Sequence, residues 1–465
     1  MNSSDDTETE KRGSIARSPT PCLPHLFVVL AGDAPLVGGG RCSLAAIDEA
    51  IFSRSELLSM HRSRTRLNVG LPDRSASSLH ARLFFRDAHW WLEDAKSTNG
   101  TFVNGVRISG RRLDDGDILE MGRTVLRVRS ALPTPAGTPD VAHGHDACSG
   151  PLEAKTLLPM CIAEHKLLGF AAETSMPILL LGETGTGKEV MARAIHAASK
   201  RRGDLMAVNC AAVPQTLIEA HFFGHVRGAF SGAGTDALGY VRAAHGGTLF
   251  LDEIGDLAPA AQGALLRVLQ EGEVVPVGST RPVSVDVRVV AATHQPLDAM
   301  VERGTFRKDL YARLQGFTHR LYPLRTRRED IGLLTAELLR LDSQSSSENI
   351  RISGEAAYAI VRYDWPLNVR ELRQALARAC AMCANGRLEL EHFPPAIMGR
   401  SPRPAVSQKL DGLSPTDIGL YEKLTAVLRE KQGNVAAAAR DMQKSPVQLY
   451  RWIGRFGIDV KKYRS

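Results

Sequence analysis

At 465 residues the chain is too long for one ordinary domain of roughly 100–200 residues, and about three are expected. Hydrophobic residues at 43% and charged residues at 23% are near globular averages and exclude a wholly disordered, collagenous or coiled-coil chain. A net charge of +7 is mild for this length, but residues 400–465 hold 13 Lys+Arg against 6 Asp+Glu while the rest holds 45 of each, so a nucleic-acid-binding module is expected at that end.

Seven scattered cysteines, an odd number, fit reduced thiols better than a disulfide framework. Cys380 and Cys383 form a CxxC inside the helical run Arg370–Met382 with no second pair downstream, which reads as packing rather than metal binding. The acidic, polar start (Asp5, Asp6, Glu8, Glu10) is unlike a signal peptide, and no stretch of 18 apolar residues occurs. A cytoplasmic protein with no membrane partner is expected.

Residues 1–24, with three prolines, read as a flexible N-terminus. Residues 25–130 then alternate short strands (Leu26–Ala31, Ala50–Phe52, Arg82–Arg86, Trp90–Glu93, Thr124–Arg129) with turns at Asn99-Gly100, Asn104-Gly105 and Asp115-Gly116, the pattern of an all-β sandwich. Pro, Gly, Ala and His crowd residues 131–150, read as a linker. The turns carry SxxH at Ser77–His80, LEDAKSTNGTFVNG at Leu92–Gly105 and LDDGDILEMG at Leu113–Gly122. This segment resembles a forkhead-associated (FHA) domain, the phosphothreonine-binding sandwich. A phosphate dianion is best held by Arg with short donors on rigid loops, and the resemblance places these at Arg54, Ser77, Thr98 and Asn99, with Ser53 and Ser78 departing from the family's usual Gly and Arg. A sandwich serving only as an interaction surface is the alternative.

Residues 151–395 alternate strand and helix. The apolar strand Ile178–Leu181 runs into Gly182-Glu183-Thr184-Gly185-Thr186-Gly187-Lys188-Glu189 and a helical run to Ala198, a P-loop in its required context. Its glycines let backbone N–H groups form an anion nest, and Lys188 reaches the β/γ phosphates. Glu189 stands where a magnesium-binding Ser/Thr is usual. A second apolar strand ends in Asp252 and Glu253, suited to hold Mg2+ and to activate the attacking water. Together they predict hydrolysis of ATP.

Over residues 155–395 the chain resembles the AAA+ domain of the sigma-54-dependent transcription activators, in which Glu189 is usual. Gly228-Ala229-Phe230-Ser231-Gly232-Ala233 is close to the family's GAFTGA loop, which contacts sigma-54; a Gly-flanked Phe also suits an exposed, mobile apolar finger. By the same resemblance Asn209 is the switch Asn acting through Glu253, and Thr293 and His294 face the phosphates, with His294 in place of the usual Asn. Arg307 and Arg313 are arginine fingers donated to a neighbouring subunit, which implies a ring, a hexamer in this family. Trp365–Leu372 is the lid motif with Arg370 as its second sensor, and Leu367 stands where Gly is usual. His221 and Val226 also depart from the family pattern.

After a linker over residues 396–415, residues 416–465 read as an all-α unit. An amphipathic helix at Ile418–Lys431 is followed by Gly433-Asn434, an Ala-rich run to Arg440 and a second helical stretch, Pro446–Arg455. The tail resembles the Fis-type helix-turn-helix that ends these activators. Gln448, Arg451 and Arg455 are candidates for base edges or phosphates; Arg440, Lys444 and the Lys461/Lys462/Arg464 end suit the backbone. The expectation is a multidomain protein with an all-β FHA sandwich, an α/β AAA+ P-loop ATPase with α-helical lid, and an all-α helix-turn-helix. It would remodel sigma-54 RNA polymerase from upstream promoter DNA and answer to a phosphothreonine protein of a Ser/Thr kinase pathway. An AAA+ remodeller of another target, or a DNA-binding regulator with a decayed ATPase, are the alternatives.

Overall fold

The run Leu26-Phe-Val-Val-Leu-Ala has no polar alternation, so its strand is expected to be covered on both faces. In the computed structural model, which describes residues 20–144, 148–149, 152, 154–214, 216–342, 350–383, 385–399, 415–442, 444–456 and 458, that run is the buried part of β1 (Cys22–Ala31). The flexible start read over 1–24 thus gives way to strand from Cys22, and residues 1–19 lie outside the described ones.

Twelve further strands complete the sandwich: β2 (Gly40–Ser43), β3 (Glu49–Arg54), β4 (Ser59–Ser63), β5 (Arg66–Leu71), β6 (Ala81–Arg86), β7 (His89–Asp94), β8 (Thr101–Val103), β9 (Val106–Ile108), β10 (Gly110–Arg112), β11 (Ile118–Met121), β12 (Thr124–Pro133) and β13 (Val141–His143). One sheet runs β13-β2-β1-β12-β11-β8-β9 and the other β10-β7-β6-β3-β5-β4. Between them lie Leu26, Val28, Phe52, Leu67, Leu83, Leu92, Leu119 and Leu126, all at the inward positions of alternating strands. The stretch read as a linker over 131–150 is in part sheet: β12 continues to Pro133, and β13 pairs with β2, with Ala142 opposite Arg41.

After the short pair β14 (Cys148–Ser149) and β15 (Ala154–Lys155), α1 (Pro159–Ala172) leads into an α/β domain. Its parallel sheet has the order β17 (Leu205–Asn209), β18 (Thr248–Asp252), β19 (Arg288–Thr293), β16 (Ile178–Leu181), β20 (Phe317–Arg320). The helix α2 (Lys188–Ala198) follows β16. A helical lid follows β20, formed by α3 (Ile331–Asp342), α4 (Gly354–Arg362) and α5 (Asn368–Met382). Cys380 and Cys383 are half-buried against this lid's core, as packing requires.

The second face of β1 and β12 is covered by the lid. Phe27, Val29, Leu30 and Val125 share one apolar cluster with Leu324, Ile331, Leu333, Ile352 and Ile360. Approach is close enough that a side chain at Gly332 would collide with the Val29 carbonyl, and Ile352 N–H donates to Gly32 O at 2.7 Å. Inside the seam the fully buried Glu329 meets Arg129 Nη1 at 2.9 Å and Arg127 Nη1 at 3.3 Å.

The C-terminal unit, taken by itself, has helices at Pro415–Glu430, Val435–Asp441 and Pro446–Phe456. Leu424, Leu428, Ala438, Ala439 and Leu449 form its core; Ala438 and Ala439 admit close helix crossing. Asn434 Oδ1 accepts from Ala437 N–H at 3.1 Å and caps the middle helix. Among the described residues no helix is long and apolar enough to cross a membrane.

Candidate functional site

The P-loop joins β16 to α2 at the C-terminal edge of the parallel sheet, where ligands of such sheets bind. Gly185 takes φ +78°, a left-handed value that suits glycine, and a side chain there would also strike the Leu367 carbonyl of the lid motif. Lys188 opens α2 with its side chain only 7% exposed; Nζ donates to Gly182 O at 3.0 Å and lies 3.5 Å from Glu253 Oε1. Thr186 Oγ1 donates to Glu183 O at 2.8 Å. Glu183 is held by Arg325 through two bonds, at 2.7 and 2.5 Å. Glu189 turns outward and pairs with Arg193 at 2.7 Å.

Asp252 ends β18, in register with Asn209, and Glu253 follows at φ +51°. A non-glycine residue in that region is uncommon and marks a position set by its surroundings. Glu253 Oε2 accepts from His294, with Nδ1 at 2.8 Å and N–H at 3.3 Å, and from Thr293 Oγ1 at 3.4 Å. Burial pulls the Glu253 carboxyl upward, but the His294 bond and the Lys188 ammonium outweigh it and hold it below the usual carboxylate range. Asp252 moves the other way: burial, then the adjacent Glu253 charge, push its carboxyl up. A half-buried carboxylate that accepts from Glu253 N–H at 3.1 Å fits a role in holding a divalent cation, and the donor set is hard oxygen as magnesium prefers. Among the described residues no group of three or more His, Cys, Asp or Glu could hold a metal by itself.

The lid closes directly on this loop. Val369 N–H donates to Gly185 O at 3.0 Å and Arg370 N–H to the same oxygen at 3.3 Å. Buried Asn368 donates to Thr184 O at 3.0 Å and accepts from Leu324 N–H at 2.8 Å. Leu367 has φ −101°, so the position that favours glycine in the resembled motif carries no left-handed strain here. Beside the loop a cavity of about 280 Å³ is walled by apolar Leu152, Met191, Leu321 and Leu333, with Arg327 and Tyr322 at hand, apolar with a few polar groups as a nucleotide base requires. Arg327 also reaches Thr186 O at 3.3 Å. None of these wall residues was legible beforehand, because Leu152 and Met191 lie 130 or more residues before Leu321 and Leu333.

Other expected residues lie elsewhere. The Asn209 side chain accepts from Ala211 N–H at 2.9 Å and makes no bond to Glu253. Arg307 forms a two-bond pair with Asp309, at 3.0 and 2.7 Å, and Arg313 is exposed without a side-chain partner among the described residues. Gly228–Ala233 form a tight projecting turn, with Gly228 N–H to Ala233 O at 2.9 Å. Phe230 is 38% exposed and rests on the His225 ring at 5.0 Å. In the sandwich, Arg54 N–H donates to Ser77 O at 2.9 Å, and Ser77 Oγ lies 3.1 Å from Thr98 N and 3.5 Å from Thr98 Oγ1. Asn99 Nδ2 donates to Ser75 O at 2.8 Å. Buried His80 positions this cluster: Nδ1 accepts from Ser77 N–H at 3.1 Å, which leaves Nε2–H to donate to Gly100 O at 3.3 Å. Of the C-terminal residues, Gln448, Arg451, Arg440 and Lys444 are exposed; the Arg455 side chain and Lys461, Lys462 and Arg464 lie outside the described residues.

A P-loop answered by Asp252-Glu253 on a parallel sheet of this order, under a helical lid, defines an AAA+ ATPase domain, here joined to an all-β sandwich. Residues 160–319 match the family model of the sigma-54 interaction domain, 325–410 that of the AAA+ ATPase lid domain and 62–122 that of the FHA domain. The chain therefore carries a sigma-54 interaction domain, an AAA+ lid and an FHA domain. It is 44% identical over 303 residues to the acetoin catabolism regulatory protein of Cupriavidus necator, a match covering 63% of this chain and 45% of that protein. It is 42% identical over 300 residues to the hydrogenase transcriptional regulatory protein HoxA of the same organism, covering 62% of each. With the transcriptional regulatory protein ZraR of Escherichia coli K12 it shares 40% over 277 residues, covering 59% of this chain and 62% of that protein. The matches thus span about half to three-fifths of these relatives' length.

Proposed function

We propose that this protein uses ATP hydrolysis to activate transcription from sigma-54 promoters, bound to upstream promoter DNA and regulated through phosphothreonine recognition. What carries the reading is one arrangement: Lys188, Asp252 and Glu253 converge at a single edge of the sheet, in the chain that also exposes Phe230 on a glycine-flanked turn.

ATP binds with its phosphates on the Gly182–Lys188 loop and its base in the cavity walled by Leu152, Met191 and Leu333. Lys188 holds the β/γ phosphates. Asp252 would hold magnesium, which would supply charge neutralisation. Glu253, kept ionised and aimed by His294 and Thr293, orients water and takes its proton as it attacks the γ-phosphate. Arg370 follows the nucleotide state from the lid, while Arg307 and Arg313 serve the neighbouring subunit's site in a hexameric ring. Asn209 carries the change towards the Gly228–Ala233 turn, where Ala229, Phe230 and Ser231 meet sigma-54.

The C-terminal unit acts as a Fis-type helix-turn-helix, with Gln448 and Arg451 on the exposed face of its last helix. Arg54, Ser77, Thr98 and Asn99 read the phosphothreonine, signalling from a Ser/Thr kinase pathway.

In vitro transcription from a sigma-54 promoter tests this. Open complexes form with added ATP and not without it; Lys188→Ala and Glu253→Gln abolish both phosphate release and activation; Phe230→Ala abolishes activation alone. Full activation without hydrolysis would overturn the reading.

A further inference from the structure

Where the sandwich meets the lid, a cavity of about 550 Å³ is walled by Asp33, Arg54, Ser55, Glu56, Asp73, Arg74 and one lid residue, Arg351. The short strand carrying Arg351, Arg351–Ile352, is fixed on the sandwich by the bond from Ile352 N–H to Gly32 O, at 2.7 Å. The side chains of Arg54, Arg74 and Arg351 have no hydrogen-bond or ion-pair partner among the described residues.

The nearby acids do not cancel them. Asp33 accepts from Arg123 Nη1 at 2.7 Å and from Arg74 N–H at 3.0 Å, and its side chain is 7% exposed. Asp73 is buried and accepts from Ser75 N–H, Arg123 N–H and Thr124 Oγ1, at 2.8, 2.6 and 2.9 Å. Glu56 remains as the exposed acid; with Arg123 offsetting Asp33, the three guanidiniums stand against the carboxylates of Asp73 and Glu56. Such an excess attracts an anion, and guanidinium is the group best shaped for phosphate. Arg54 stands between this cavity and the Ser77/Thr98/Asn99 cluster, to which its N–H is bonded through Ser77 O.

We propose that the phosphate-reading site is composite: Arg351 of the AAA+ lid joins Arg54 and Arg74 around the cavity, and a phosphothreonine peptide binds across the seam between sandwich and lid. This rests on the phosphothreonine reading above and adds to it that the ligand touches the ATPase directly. Peptide binding then fixes the lid against the sandwich, and whatever moves the lid alters peptide affinity by the same factor.

The test uses the full chain, because the sandwich shares its core with the lid. Two fluorescein-labelled degenerate peptide pools serve as probes, one with a fixed central phosphothreonine and one with threonine there. Wild type prefers the phosphorylated pool. Arg351→Gln weakens that binding about ten-fold, the scale of one charge-assisted hydrogen bond, and Arg351→Lys recovers part of it. The melting temperature stays at the wild-type value in both variants, since the Arg351 side chain holds nothing else. If Arg54→Ala loses binding while Arg351→Gln and Arg351→Lys bind as wild type, the lid's part is overturned and the phosphothreonine reading stands. If wild type binds both pools equally, that reading fails and this proposal with it. Should Arg351→Gln melt early, Arg351→Lys at an unchanged melting temperature decides.

Discussion

His294 Nδ1 lies 2.8 Å from Glu253 Oε2, while Oε1 of the same carboxylate lies 3.5 Å from Lys188 Nζ. The acid is thus gripped from both sides, and the histidine bond helps keep it ionised. Replacing His294 with Ala removes one lowering influence, so the Glu253 carboxyl titrates higher. The acidic limb of the pH–rate profile for phosphate release then moves to higher pH, with a larger fractional loss at about pH 6 than at about pH 8. A variant that loses rate equally at both would show that His294 acts only by packing.

Glu329 is fully buried between Arg127 and Arg129, and these three residues join two domains. Removing one partner of a buried pair leaves the other charge uncompensated, at a cost of about 3–5 kcal/mol. Both arginines keep some exposure, which places Glu329→Gln near the lower end. A lower urea midpoint, with earlier proteolytic cleavage between sandwich and lid, is the expected result.

Next along the chain, Asp330 is wholly buried, accepting from Leu157 N–H and Thr156 Oγ1, both at 2.8 Å. Burial pushes its carboxyl up to about 6 from an ordinary 3.8. A group raised on folding adds stability that is fully present below the unfolded value and is lost as pH climbs through the folded one. Wild type therefore loses about 3 kcal/mol relative to Asp330→Asn between about pH 4 and pH 6. Denaturant titrations of the pair at several pH values measure this difference directly.

For the C-terminal unit, exposed Lys444 is expected to contact the DNA backbone. Lys444→Ala then weakens binding to specific and unrelated duplexes alike, and the slope of log affinity against log salt falls by about 1. Unchanged salt dependence in a mobility-shift series would remove Lys444 from the interface.

What could be read beforehand was whatever one contiguous segment encodes. Gly182–Lys188 and Thr248–Glu253 each state a strand, a turn and the group it delivers, so the ATPase class was legible from them. The apolar run Leu26–Ala31 already lacked alternation, but nothing local says that its second face meets Ile331, Leu333 and Ile360 some 300 residues later. Distance in sequence likewise hid Arg327, 141 residues from the P-loop residue Thr186 that it reaches, and Arg351 beside Arg54. Short strands such as Gly40–Ser43 and Gly110–Arg112 escaped because Gly, Arg and Ser carry weak strand preference, and pairing with long neighbours alone makes them strands. At Leu367, which stands where the resembled motif has Gly, the ordinary φ of −101° shows that glycine is not needed.

The close fit of Gly332 under Val29 bears on how this molecule can be taken apart. A fragment ending after the last strand of the sandwich would present Phe27, Val29, Leu30 and Val125 to water, and one beginning at the ATPase would bare Ile331, Leu333 and Ile360. Each half would thus carry a sticky face of the kind that drives self-association. Separating the part of the sandwich from that of the ATPase in this protein is therefore better done with point substitutions in the whole chain than by cutting it.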